Sequence, residues 1–175
     1  GGVERLAFSV VWELDPKTAE VYNTRFHKSV IKSKAAMTYE DAQKIIDDSN
    51  NTSEVAESLR GLMKISKILK RKRVENGALT LASTQVKFKF EEEETHNPTD
   101  VSFYQSFDTN SMIEEFMLFA NISVAKKILY HFPGKTILRN HVPPKPQMIK
   151  EFSALMQSLG FEFDYSSSKA LADSL

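Results

Sequence analysis

Two carboxylates and an amide are the residues in this sequence best placed to do chemistry. Glu114, Glu115 and Asn121 fall inside the stretch from Asn110 to Lys127, where nearly every other side chain is apolar or small. At about 3.6 residues per turn, Glu114, Leu118, Asn121 and Ala125 share one helical stripe, and Glu115, Phe119, Ile122 and Lys126 the next. Polar groups on such a helix are costly unless satisfied, so this face is expected to meet a partner, a ligand or another part of a larger protein. Each residue also has a plainer reading. Glu114 follows Ser111 by three positions and fits a capping box, while Glu115 fits an exposed margin. An amide in the position of Asn121 bonds a neighbouring backbone or a ligand. Tyr39, beside a helix cap, is either a core ring with its hydroxyl at the surface or a stacking plane.

Other chemistries find no support. His27, His96, His131 and His141 lack the spacing of a metal-binding helix or finger. No GxSxG, P-loop or GxGxxG motif occurs. Consecutive carboxylates such as Glu91 to Glu94 point to alternate faces of a strand and read as a solvated strand end rather than a Mg²⁺ site. The basic run Lys70-Arg71-Lys72-Arg73 reads first as cations favouring the C-terminal end of a helix dipole. Its sharper alternative is a phosphate-contacting patch or a localisation signal.

The elements that must position these residues follow from composition and periodicity. The chain has 175 residues, enough for one domain with a core. Lys plus Arg and Asp plus Glu number 23 each, and this zero balance argues mildly against a nucleic-acid binder. The absence of cysteine excludes disulfides and thiolate metal sites, and suits a reducing compartment. No segment has the apolar length to span a membrane, and no signal peptide is evident. Gly1-Gly2 reads as a cloning scar, and both ends suggest an excerpt from a longer protein.

Leu6, Phe8, Val10, Trp12 and Leu14 alternate with smaller or polar residues and predict a strand, turned by Asp15-Pro16-Lys17 into a return strand from Val21 to Val30. Thr38, with Asp41 three residues on, predicts a helix to about Asp48. Ser53 caps a long helix from Glu54 to Glu75, with Val55, Leu59, Leu62, Ile65, Ile68 and Leu69 as its apolar stripe. Asn76-Gly77 ends it. Strands are expected from Leu79 to Phe90 and from Val101 to Phe107, joined by the polar connection Glu91 to Asp100. The apolar helix is expected from Ser111 to His131, sunk in the core. Thr136 to Arg139 and Phe161 to Tyr165 read as extended, and helices are expected at Gln147 to Leu159 and after Ser168. The expected fold class is α+β: mixed or antiparallel strands around a buried central helix, one unit over residues 3–175.

Several ordered motifs then resemble the ribonuclease II (RNB) family. They are Ser29-Val30-Ile31-Lys32-Ser33-Lys34, Thr38-Tyr39-Glu40-Asp41-Ala42-Gln43 and Glu75-Asn76-Gly77-Ala78-Leu79-Thr80-Leu81. The most specific runs from Asn110 to Ile128. Leu138-Arg139-Asn140-His141 and the stretch from Ser168 to Leu175 continue the series. The likeness covers about Arg5 to Leu175 and is greatest to the exosome-associated branch.

That resemblance implies hydrolysis of single-stranded RNA from its 3′ end to nucleoside monophosphates, with Mg²⁺ held by clustered aspartates. The family's aspartate cluster matches no position here and would lie N-terminal to this stretch, as its catalytic arginine would lie C-terminal. The resemblance therefore implies the middle of an RNB domain, with no catalytic residue or Mg²⁺ ligand of its own and no activity in isolation. Tyr39 and Asn121 would contact RNA in a channel, with Arg139 on a phosphate. Glu114 or Glu115 would bond a ribose hydroxyl. The implied partners are single-stranded RNA and, through the longer protein, exosome core subunits, without a membrane; the implied location is nucleus and cytoplasm. The alternative is a non-catalytic RNA-binding or exosome-interaction module of degenerate RNB fold.

Overall fold

The alternation read at the N-terminus is realised as a long hairpin of β1 (Glu4–Leu14) and β2 (Val21–Lys32). The computed structural model describes residues 1–80, 86–89, 100–103 and 106–174, and for 87–89 and 100–103 the backbone alone. β1 and β2 are antiparallel, with Glu4 opposite Lys32 and Trp12 opposite Thr24. The Asp15 carboxylate closes the turn by accepting from the Lys17 and Thr18 amides at 2.7 and 2.9 Å. Ala19 completes it at φ 53°, and the register shifts after Glu13 because Tyr22 has no residue opposite it. Side chains alternate across a strand, so Leu6, Phe8, Val10 and Trp12 share a face with Phe26 and Val30 opposite them. Trp12 stacks on Phe119 with ring centroids 4.6 Å apart, and its indole N–H donates to Ser123 Oγ at 3.0 Å. At the far end of the same face Leu6 is 91% exposed.

Both predicted caps form. Thr38 and Asp41 make a reciprocal capping box at the start of α1 (Tyr39–Asp47). Ser53 Oγ accepts from the Ala56 amide at the start of α2 (Glu54–Glu75). At the other end of α1, the Arg60 guanidinium of α2 donates to the carbonyls of Ile46 and Asp48, at 3.2 and 2.5 Å. This satisfies acceptors that a helix end leaves without partners. The buried residues of α2 are Ala56, Met63, Ser66 and Ile68; of the expected stripe Ile68 is buried, Val55, Leu59, Ile65 and Leu69 are half-buried, and Leu62 is exposed. Gly77 adopts φ +88°, and a Cβ there would lie 2.8 Å from the backbone nitrogen of Lys169.

Beyond α2, β3 (Val86–Lys89) pairs antiparallel with β4 (Asp100–Phe103), Val86 opposite Phe103. Both sheets are therefore antiparallel and two-stranded. Leu79 and Thr80 lie outside a strand, and Leu81, Phe90, Glu91 to Glu94, His96 and Asn97-Pro98 lie outside the described residues. The apolar helix, α3 (Asp108–His131), begins three residues before the expected Ser111. Asn110 Oδ1 accepts from the Phe107 amide at 3.0 Å, so Asn110 supplies the back-cap. The expected Ser111–Glu114 box does not form because Ser111 already lies within the helix. α4 (Pro146–Ser158) and α5 (Ser168–Ser174) follow. Thr136 to Arg139 and Phe161 to Tyr165 join no ladder among the described residues. Phe163 instead packs edge-on against Phe152 of α4 at 5.0 Å.

The central helix is buried at Thr109, Met112 and Glu115, where α1 and α2 cover it. Farther along, Met117 is 59% exposed and Ile122 48%. An apolar circumference states what a helix could bury; burial itself requires a covering element. The chain exposes 14030 Å², against about 8,700 Å² expected for a compact monomer of this size. Exposed apolar side chains lie on the hairpin, α3 and α4, among them Leu6, Met117 and Leu155.

Two outcomes are expected. Arg73→Ala, which leaves the buried Glu115 carboxylate without its partner (described below), lowers stability in urea unfolding by about 3 kcal/mol. Lys34→Ala, which breaks an exposed pair with Glu54, stays within about 1 kcal/mol of the parent. The second concerns Asp41, whose carboxyl is held below its ordinary value by hydrogen bonds from the Thr38 side chain and backbone. A folded-state value below the unfolded one contributes stability above pH 3.8, lost as pH falls through the folded value. Protection of the α1 amides, taken relative to their intrinsic exchange rate at each pH, should therefore fall on acidification, and Asp41→Asn should abolish that dependence.

Candidate nucleic-acid interface

Cations along one side of α2 meet polar groups along α3, pair by pair. Lys67 reaches Asp108 at 3.0 Å, Lys70 donates to Ser111 Oγ at 2.9 Å, and Arg73 reaches Glu115 at 2.5 Å. Both series advance together, so the two helices run parallel here, and three- and four-residue spacing keeps each series on one face. Lys67 and Asp108 are well exposed, and such pairs contribute at most about 1 kcal/mol. The Arg73–Glu115 contact is of another kind. Glu115 is 3% exposed; Arg73 Nε donates to both its oxygens at 3.2 Å while Nη2 donates to Oε1. The Glu115 carboxylate holds the Arg73 guanidinium above its usual pKa, with partial burial opposing and Glu114 adding a smaller attraction. Glu114 Oε1 stands 3.7 Å from the same Nη2 and its side chain is 60% exposed.

The basic run thus divides by face. Lys70 and Arg73 tie α2 to α3, and Arg71 approaches Glu75 at 3.9 Å on the solvent side. Lys72 and Arg73 occupy the last turn, as the dipole reading requires. In the sequence these cations read as favouring the dipole, as a phosphate-contacting patch or as a localisation signal. Their periodic match to Asp108, Ser111 and Glu115 was the missed signal.

Four of the five expected contact residues lie at the surface. Tyr39 is 45% exposed and sits at the N-terminal end of α3, because its carbonyl accepts from Thr109 Oγ1 at 2.7 Å. The Thr109 amide donates to Gln43 of α1 at 3.2 Å, which fixes α1 across that helix end. Glu114 and Asn121 are exposed on one stripe of α3, about 10 Å apart along its axis. Among the described residues the Asn121 amide has no side-chain partner, so an intramolecular bond does not account for it. Glu115, by contrast, is committed to Arg73. Arg139 lies exposed in the segment between α3 and α4 without an ion pair among the described residues, and no contact brings it to the other four.

A groove of about 380 Å³ opens between β2 and the later turns of α3, on a different face of that helix from Asn121. Phe26, Phe119 and Ile122 form its apolar lining, and Lys126 and Lys127 its charged edge. Trp12 and Phe119 create it by holding the hairpin against α3. Neither the groove nor the Trp12–Ser123 bond was legible in periodicity, since 111 residues separate the bonded partners. Among the described residues no three His, Asp or Glu side chains converge as a metal site would require.

Comparison with known proteins places this geometry in a family. A family model described as the RNB domain matches residues 1–174. The chain is 48% identical to the exosome complex exonuclease RRP44 homolog A of Arabidopsis thaliana over 99% of its own length and 18% of the relative's. It is 47% identical to the exosome complex exonuclease RRP44 of Homo sapiens, with the same coverage. It therefore spans about a fifth of the length of these relatives. In fold it resembles Mycoplasma genitalium RNase R, solved in complex with ribose methylated single-stranded RNA, with a TM-score of 0.82 at 19% identity, covering 98% of this chain and 27% of that one. Yeast Ssd1, described as a pseudonuclease, gives 0.71 at 21% identity, covering 99% and 21%. The chain belongs to the RNB domain family.

Proposed function

We propose that this chain is part of a 3′→5′ exoribonuclease that hydrolyses single-stranded RNA to nucleoside monophosphates, and that it forms one wall of the RNA path. The observation that carries the reading is the 48% identity to an exosome exonuclease over 99% of the chain. Exosome core subunits are the protein partners this reading implies, in nucleus and cytoplasm. The Mg²⁺-binding aspartates and the catalytic arginine belong to the remainder of a longer polypeptide. The resident ion would there activate water and stabilise charge on the phosphorus.

This chain's own contribution is recognition. The half-exposed Tyr39 ring offers a stacking plane for a base, worth about 1–3 kcal/mol. The Asn121 amide, without a side-chain partner among the described residues, offers a donor and an acceptor two turns beyond Glu114. The Glu114–Glu115 pair supplies acceptors for a ribose 2′-hydroxyl, the group that separates RNA from DNA. Glu114 is the accessible member and Glu115 the anchored one. Lys126 and Lys127 add positive charge to the groove on another face of α3, and Arg139 is a candidate phosphate contact. A neutral overall balance does not oppose this, since phosphate binding responds to local charge.

The fold likeness to a pseudonuclease favours a second reading, a non-catalytic RNA-binding or exosome-interaction module. Upstream aspartates in the longer sequence separate the two, because only the enzyme needs them.

In the full-length polypeptide, assayed for single-stranded RNA binding in EDTA, Tyr39→Ala should weaken affinity about tenfold or more, consistent with loss of one stacked base. Asn121→Ala should weaken it about three- to tenfold, the scale of one hydrogen bond, with the melting temperature unchanged. Loss of several degrees at unchanged affinity would make Asn121 a structural residue. The 175-residue chain alone should show no Mg²⁺-dependent RNA degradation; robust degradation by pure material contradicts the assignment of the catalytic groups elsewhere.

A further inference from the structure

We infer that Arg73 is a positioning residue for ribose recognition: from the last turn of α2 it orients the Glu114–Glu115 carboxylate pair of α3. The inference rests on the reading of that pair as the 2′-hydroxyl acceptor. One guanidinium touches both carboxylates, Nη2 lying 2.5 Å from Glu115 and 3.7 Å from Glu114. Its Nε spans the two oxygens of Glu115 at 3.2 Å each. That geometry fixes the plane of the Glu115 carboxylate as well as its position, which only a planar fork does; an ammonium supplies charge without orientation.

Stability alone is a weak reason for such an arrangement. A buried ion pair gains little over a well-packed apolar pair of the same volume. The surroundings also differ from those of a closed structural bridge. Glu115 is 3% exposed while the Arg73 and Glu114 side chains are 30% and 60% exposed, so the cluster runs from the helix interface out to solvent. Two carboxylates share one cation, which leaves acceptor capacity on the pair that a hydroxyl donor can use. Glu115, nearly closed to water, holds the guanidinium, so Glu114 beside it is the acceptor open to a sugar, and this anchored arrangement needs less reorganisation than two freely hydrated side chains would. The neighbouring contacts, Lys67 with Asp108 and Lys70 with Ser111, hold the same two helices together and leave the carboxylates to Arg73.

The test compares affinities of the full-length polypeptide, in EDTA, for a single-stranded oligoribonucleotide and for the same sequence in 2′-deoxyribose. Arg73→Lys keeps the charge and removes the fork. It should reduce the RNA-over-DNA preference at least fivefold while the melting temperature moves by no more than a few degrees. Glu114→Gln/Glu115→Gln should reduce the same preference, and adding Arg73→Lys to that double variant should reduce it no further, because all three act through one pair of acceptors. Should Arg73→Lys fold poorly, Arg73→Gln, which also lacks the fork but fills similar volume, carries the same expectation. An unchanged preference in Arg73→Lys, with the Gln double variant impaired, overturns the role of Arg73 and leaves the ribose reading standing. Multiplying losses show that Arg73 acts independently of the pair and also overturn it. An unchanged preference in the Gln double variant overturns both.

Discussion

A buried carboxylate sets the terms for this structure. Glu115 sits where α3 meets α2 and is nearly closed to water, and an ion there persists only if its charge and lone pairs are met. Arg73 meets them, and to do so α2 must deliver its last turn to that point. Much of the remaining architecture follows from the alignment. Lys67 and Lys70 fall opposite Asp108 and Ser111, Met63 and Ser66 pack toward Met112, and α1 is carried over the start of α3 by Thr109. The same alignment brings Tyr39 to the helix that carries Glu114 and Asn121.

Away from that junction the chain is open. The hairpin touches α3 through Trp12, Phe119 and Ser123, and past this contact its apolar face is exposed to Leu6. α4 has no buried residue. The unit's tight part is the α1–α2–α3 junction, and the hairpin, α3 and α4 carry exposed apolar side chains, among them Leu6, Met117 and Met148. A recognition stripe on α3 fits this division, because its inner end is held rigidly while its outer turns are open to approach.

Local signals were the most legible part of the fold. Thr38 with Asp41, Ser53, and Asn76-Gly77 each bounded a helix correctly because a cap is satisfied within a few residues of chain. The hairpin was legible for the same reason. What periodicity could not supply was cover: the circumference of α3 reads as core, yet burial depends on which element arrives. The start of α3 was misplaced because two adjacent side chains, Asn110 and Ser111, are both competent caps, and only tertiary contact with Lys70 and Tyr39 decides between frames. The candidate site was legible in part. Tyr39, Glu114 and Asn121 are exposed as a contact surface needs. The commitment of Glu115 to Arg73 joins residues 42 apart, and nothing local encodes it.

The proposed function rests on one stripe of one helix and on the tyrosine placed at its head. Family membership gives the fold a history, but the RNA path depends on where nucleotides lie against these side chains. Ultraviolet crosslinking of single-stranded RNA to the full-length polypeptide in EDTA, read by peptide mass spectrometry, measures that placement. The account predicts crosslinks at Tyr39 and in the α3 peptide that contains Asn121. Crosslinks found only elsewhere, with both of these peptides unmodified at saturating RNA, would contradict it.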